Sequence, residues 1–308
     1  MATRVRVITA ALAVLTAAGC SSSGADRPAE PPPALGTVAT ITEPGQIALP
    51  IDDYLVTTAQ VRQIVKAQDL LAAECLRGYG LTGRPTVLVG LEDMVAGRLT
   101  RSLVYGYFDV ANAGSKGYAA VRNATPPPPG APLDEATADR NHIALTGADP
   151  RTGQPVTTLD GKPVPAGGCQ QKSREALGGA TPNPDTGDLP EGGPKVPAGD
   201  PRLVDAFAKW SACMKEKGFE YKDPGAAIGD PAWQQQTAQP SPQEIATASA
   251  DIACKLAHNT VGIAVAVQTA YAKRYVEANA AKLTAYKQRT DDMLRKAAEL
   301  TAAAPAVG

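Results

Sequence analysis

The clearest alternation of apolar and polar positions lies in the last third of the chain. From Glu244 to Ala303 there is no proline and the one glycine is Gly262. Ser241-Pro242-Gln243-Glu244 stands ahead of this stretch as a capping-box sequence with proline at the first helical position. One unbroken helix there would reach about 90 Å at 1.5 Å per residue, too long for a small domain, so a break is expected near Asn259 to Gly262. Val265, Thr269, Ala272, Val276, Asn279, Leu283, Tyr286, Thr290, Met293, Ala297 and Leu300 then follow a four-three spacing. Two threonines and an asparagine make this a thin seam. Packing on the chain's own domain is the expectation, and a partner helix is the alternative.

Earlier segments carry weaker patterns. Val61, Ile64, Val65, Leu70 and Leu71 mark the apolar face of a helix from about Thr57 to Arg77, with Gly78 or Gly80 as its stop. Arg84 to Gly90 reads as a short strand, Leu99 to Val110 has mixed periodicity, and Pro126 to Pro129 break any regular element. Asp160-Gly161 lies between two β-like pieces as a hairpin turn. Thr181 to Pro201 reads as a linker, and Ala206 to Lys217 as a helix stopped by Gly218. The predicted fold class is mainly α: two disulfide-braced modules with a short β-hairpin and a long C-terminal helix. The predicted division is a signal peptide at 1–19, a lipidated flexible tether at 20–50, a first module at 51–180, a linker at 181–200 and a helical second module at 201–308.

Glycine and proline, 29 and 27 residues of 308, together make up about 18% of the chain, between the usual share of about 12% and that of wholly disordered chains. Thirty basic against 31 acidic residues leave no bulk field for nucleic acid. The N-terminus is more informative. Arg4 and Arg6 precede an apolar run, Val7 to Ala18, that is too short to span a bilayer and has the form of a signal peptide. It ends Leu15-Thr16-Ala17-Ala18-Gly19-Cys20, which resembles a bacterial lipobox. That resemblance implies diacylglyceryl modification of Cys20, palmitate-type acylation, and cleavage before it. The mature protein is then expected at the outer face of the cell membrane, with membrane lipid as its partner through the acyl anchor. Two or more acyl chains hold firmly where one does not.

Five cysteines are an awkward number for an exported protein, and removing Cys20 leaves four to pair. Cys75 and Cys213 each precede a helix-stopping glycine by five residues, Gly80 and Gly218, and each is followed later by a cysteine beside helical sequence. This internal echo suggests bridges Cys75–Cys169 and Cys213–Cys254, although four cysteines allow three connectivities. Each such bridge would contribute roughly 4–5 kcal/mol in the chain-entropy model.

A series of short motifs runs through this framework. They are Cys75-Leu76 with Gly80, Ala144-Leu145-Thr146-Gly147, Pro165-Ala166-Gly167-Gly168-Cys169, Trp210 with Cys213-Met214, Gly218-Phe219, and Ala250-Asp251 with Cys254-Lys255. Together with the lipobox they resemble an uncharacterised family of secreted actinobacterial lipoproteins, over roughly Tyr54 to Leu294. The resemblance implies a shared cysteine framework and brings no catalytic residues. Gln170-Gln171 stand where it would lead one to expect acidic residues.

Chemistry-bearing motifs are scarce. No Gly-x-Ser-x-Gly, Ser-x-x-Lys, His-Glu-x-x-His, Walker loop or Cys-x-x-Cys occurs. His142 and His258 are the two histidines, and no metal or cofactor is predicted. Tyr79, Tyr105, Tyr107, Phe108 and Tyr118 gather aromatic rings in the first module. They are candidate ligand-binding residues, with a core role as the alternative. The expected function is therefore non-catalytic: a membrane-anchored lipoprotein that binds an envelope component such as a cell-wall polymer, a solute or a protein partner. The alternatives are an accessory subunit of an envelope export or sensing complex, docking through its C-terminal helix, and a hydrolase. An apolar seam facing solvent over 265–300 favours docking, an enclosed pocket near Tyr105 favours ligand binding, and a serine beside His142 or His258 favours hydrolysis.

Overall fold

The computed structural model describes residues 30–82, 101–102, 104–118, 133–234 and 239–303. The signal segment, Cys20 and the strand expected at 84–90 lie outside the described residues. The described residues from Pro33 onward form one compact unit.

Seven helices of ten residues or more build the described body: α1 (Thr58–Arg77), α2 (Glu135–Thr146), α3 (Gly168–Leu177), α4 (Pro201–Glu216), α5 (Pro242–Ala257), α6 (Thr260–Ala278) and α7 (Ala280–Ala303). Their starts follow from side-chain caps. Thr57 accepts from Gln60 N–H, Asp200 from Arg202 N–H and Ser241 from Glu244 N–H. Two antiparallel hairpins complete the set: β1 (Arg101–Ser102) with β2 (Gly106–Tyr107), and β3 (Thr158–Leu159) with β4 (Lys162–Pro163). The second turns at Asp160 and Gly161, both at positive φ, as expected for Asp-Gly. The first was not visible in the mixed periodicity of 99–110.

The expected break in the C-terminal helix falls at His258–Asn259, where Asn259 adopts the left-handed conformation and the axes bend by 69°. A second break at Asn279 was not foreseen. No single helix among the described residues is long and apolar enough to cross a membrane. The four-three stripe faces inward. Leu283, Tyr286, Thr290, Met293 and Ala297 are buried, and α7 packs chiefly on α1.

Both expected disulfides are present, each with Cα atoms 5.7 Å apart, within the usual range. Each lies in its own apolar cluster: Cys169 with Leu76, Leu81, Ala144, Leu159 and Val164, and Cys213–Cys254 with Trp210, Met214 and Ile252. The sequence echo is a repeated helix ending. At α1, Leu81 N–H donates to Leu76 O (3.1 Å) and Gly80 N–H to Arg77 O (2.9 Å). At α4, Phe219 N–H donates to Met214 O and Gly218 N–H to Lys215 O, both at 3.0 Å. Gly80 and Gly218 both have positive φ, which completes the Schellman geometry that satisfies the last carbonyls.

The expected boundaries do not describe the packing. Tyr105, Tyr107, Phe108 and Tyr118, assigned by sequence to the first module, belong to the cluster around Cys213–Cys254. Conversely, Met293 and Ala297 of α7 pack with Ile64 and Leu177. The stretch at 181–200 is no free linker, because Leu189 is buried with Ile51, Leu283 and Tyr286. Nor is residue 50 the end of a tether. Ile41 and Ile47 are buried in the main core, and Asn259 clasps the strap, donating from Nδ2 to Ala39 O (2.9 Å) and accepting from Ile41 N–H (3.2 Å). Pro, Gly and Ala composition read as spacer, whereas backbone hydrogen bonds and two isoleucines hold the segment down.

Candidate functional site

A charged pair lies at the centre of the main core. Asp251 and Lys255 sit one turn apart on α5, with both side chains fully buried and Lys255 Nζ 2.8 Å from Asp251 Oδ1. Trp210 Nε1 donates to Asp251 Oδ1 (2.9 Å), Tyr118 OH to Asp251 Oδ2 (3.3 Å), and Lys255 Nζ also donates to Tyr107 O. Burial, the largest influence, pushes the Asp251 carboxyl up and the Lys255 ammonium down; the ion pair opposes both shifts, and hydrogen bonds from Trp210 and Tyr118 also oppose that of Asp251. Burial and the neighbouring Asp251 raise the Tyr118 hydroxyl as well. The pair ties α4, α5, β2 and the segment at Tyr118 together. It is enclosed by its own partners, so its role is structural.

The aromatic residues are distributed accordingly. Tyr107, Phe108 and Tyr118 are buried core residues at most 1% exposed, with Tyr107 and Tyr118 packed edge to face at 5.2 Å. Tyr118 also lies against Trp233, its centroid 5.6 Å away. They present no open platform, because rings from several elements cover one another's faces. Tyr79 stands apart in the other cluster and donates from its hydroxyl to Pro163 O (2.6 Å).

Two of the five reach clefts: Tyr79 lines an open groove of about 800 Å³ with Lys162 and Pro163, and Tyr105 lines a smaller cleft. This cleft has a volume of about 260 Å³ and lies between the strap, the first hairpin, α6 and the 185–196 segment. Its walls include Ile47, Leu49, Ile51, Val104, Tyr105 and Val196. Gln268 of α6 supplies the polar point. Its Nε2 donates to Ser102 Oγ (3.2 Å), while its buried Oε1 has no hydrogen-bond partner. Asp52 and Asp185 also line the cleft. An apolar recess with a single buried acceptor is the usual form of a small-molecule site.

A second cleft, of about 360 Å³, brings Asp69, His142 and Ser173 to the same walls. Ser173 Oγ donates to Gln170 O at 2.8 Å rather than to the exposed imidazole, whereas an activated serine hydrogen-bonds its base. Thr82 and Leu133 are also on its lining. His258 is exposed at the end of α5. Among the described residues no group of three His, Cys, Asp or Glu side chains is placed to hold a metal ion.

Sequence reasoning placed Asp251 and Lys255 within a motif but missed their pairing, and it missed Gln268. The first two had a signal, an i, i+4 charge pair on a helix face otherwise made of Thr247, Ala248 and Cys254. Gln268 had none, since it is one polar residue on a largely apolar helix. No protein-family model, curated protein or solved structure matches the chain.

Proposed function

We propose that this protein is a non-catalytic, lipid-anchored binding protein on the outer face of the cell membrane, and that it holds a small envelope solute in the cleft beside Tyr105. The observation that carries the reading is the cleft itself, an apolar recess with one unpaired buried acceptor, Gln268 Oε1. The inward-facing stripe of α7 favours it over docking through the C-terminal helix, since the residues that would meet a partner helix are used within the fold. The lipobox-like run ending at Cys20 supports the anchor. The two disulfides agree with an oxidising, extracytoplasmic location.

Two measurements test it. Cys20→Ala should move the protein from the membrane fraction to the soluble fraction, and retention of the variant in the membrane would remove the anchor. Equilibrium dialysis of the released protein against an extract of its own envelope, followed by mass spectrometry, should enrich a small compound. Capture of a stoichiometric protein in a cross-linking pull-down from the same envelope, joined through 265–300, would instead favour the accessory-subunit reading.

A further inference from the structure

We infer that the cleft beside Tyr105 selects a small apolar alcohol or amine, whose O–H or N–H is accepted by Gln268 Oε1. This rests on the binding reading above and adds the ligand's chemistry. Three features of the lining define it.

The walls are aliphatic where Ile47, Leu49, Ile51, Val104 and Val196 meet, so the body of the ligand is apolar. A volume of about 260 Å³ is just under the range of about 300–1,000 Å³ typical of ligand pockets, which limits that body to one ring or a short branched chain.

The polar requirement is directional. Ser102 Oγ accepts from Val104 N–H (3.1 Å) and from Gln268 Nε2 (3.2 Å). The nitrogen of the Gln268 amide is thereby engaged, and its oxygen is the atom left over. A buried acceptor without a donor is unfavourable, and a ligand donor relieves this while an acceptor-only ligand does not. The geometry therefore asks for O–H or N–H.

The charged groups on the described lining are acidic. Two carboxylates, Asp52 and Asp185, line the cleft, and no Lys, Arg or His is on its described lining. Asp52 Oδ2 is held by Leu49 N–H at 2.8 Å, and Asp185 Oδ1 by Gly187 N–H at 2.8 Å. Both carboxylates are thus fixed at the cleft. These carboxylates would repel an anionic ligand and attract an ammonium group.

Four compounds of similar shape test this: toluene, benzyl alcohol, benzylamine and benzoate, titrated into the ¹⁵N-labelled mature chain carrying both disulfides. Benzyl alcohol and benzylamine should shift the amide signals of Ser102, Val104, Thr186 and Gln268, with benzoate at least about tenfold weaker than benzyl alcohol. Gln268→Met should weaken benzyl alcohol about two- to tenfold, the value of one hydrogen bond, and leave toluene unchanged. Gln268→Glu keeps an acceptor oxygen and should favour benzylamine over benzyl alcohol. It serves if the methionine variant does not fold. Benzoate binding as tightly as benzyl alcohol would overturn the inference, as would equal losses of toluene and benzyl alcohol in Gln268→Met. Toluene binding alone would overturn the donor rule and leave the binding reading intact. Silence of all four probes while a compound is enriched from the envelope extract would overturn the ligand class alone.

Discussion

Lys255 Nζ lies 2.8 Å from Asp251 Oδ1, with both side chains fully buried. Ion pairs in such a setting are held by their hydrogen bonds as much as by mutual attraction, because desolvation offsets much of the Coulomb term. Removing one partner leaves the other charge buried and alone. Lys255→Met or Asp251→Asn should each destabilise the fold by about 3–5 kcal/mol in urea denaturation. The double variant should recover most of that loss, since Asn still accepts from Trp210 Nε1 and no charge remains. A double variant as unstable as the sum of the singles would contradict this account of the pair.

The disulfide framework makes a direct chemical prediction. Non-reducing peptide mapping should link Cys75 to Cys169 and Cys213 to Cys254, whereas a Cys75–Cys213 peptide would overturn both cores. Replacing either pair by alanines should cost about 2–5 kcal/mol.

Gly262 is where the strap crosses α6. A Cβ placed there would lie 2.1 Å from Ala39 O and 2.3 Å from Asn259 Oδ1, closer than any real contact. Gly262→Ala should therefore displace the strap from Asn259 and cost about 1–3 kcal/mol, as overpacking does. Limited proteolysis should then cut within residues 34–48, where the parent protein resists. Unchanged resistance would mean that the strap is not held there.

Acid should loosen the same strap from its other end. The Asp200 carboxylate receives Arg202 Nε at 2.8 Å and Tyr271 OH at 3.1 Å, and Arg202 Nη1 donates to Pro33 O at 2.5 Å. The Arg202 hydrogen bond is the main cause that holds the Asp200 carboxyl below its ordinary 3.8. A lowered carboxyl favours the folded state above the unfolded value, and that contribution is lost as pH falls through the folded one. Stability should therefore decline below about pH 4, and Asp200→Asn should flatten that part of the profile.

Local signals in the sequence translated well into local structure, and long-range ones did not. Thr57, Ser241 and the Asp160-Gly161 pair behave as their chemistry predicts, because caps and tight turns depend on neighbours within a few residues. Glu244 shows where this stops. A capping box would turn its side chain back to its own helix start, yet its Oε1 accepts from Tyr118 N–H, 126 residues away, at 3.0 Å. The strap and the 181–200 segment read as loose for the same reason: their partners, Asn259 for one, Leu283 and Tyr286 for the other, are far away in sequence. The cleft was legible only as a region. Tyr105 marked it, but Ser102 and Gln268, separated by 166 positions, gave no joint signal. Tyr107, Phe108 and Tyr118 were drawn into the core with Trp210 and Trp233, and Tyr79 packs at the edge of the other cluster.

The proposed binding function requires that the cleft beside Tyr105 hold a ligand. Native mass spectrometry of the mature protein isolated from its own membrane tests this most directly, with parent and Val196→Trp compared after near-UV circular dichroism has verified that both are folded. The parent should carry a small non-covalent adduct that the tryptophan variant lacks, since the indole would fill a volume of about 260 Å³. An adduct of equal occupancy in both proteins would place binding elsewhere and contradict the central claim.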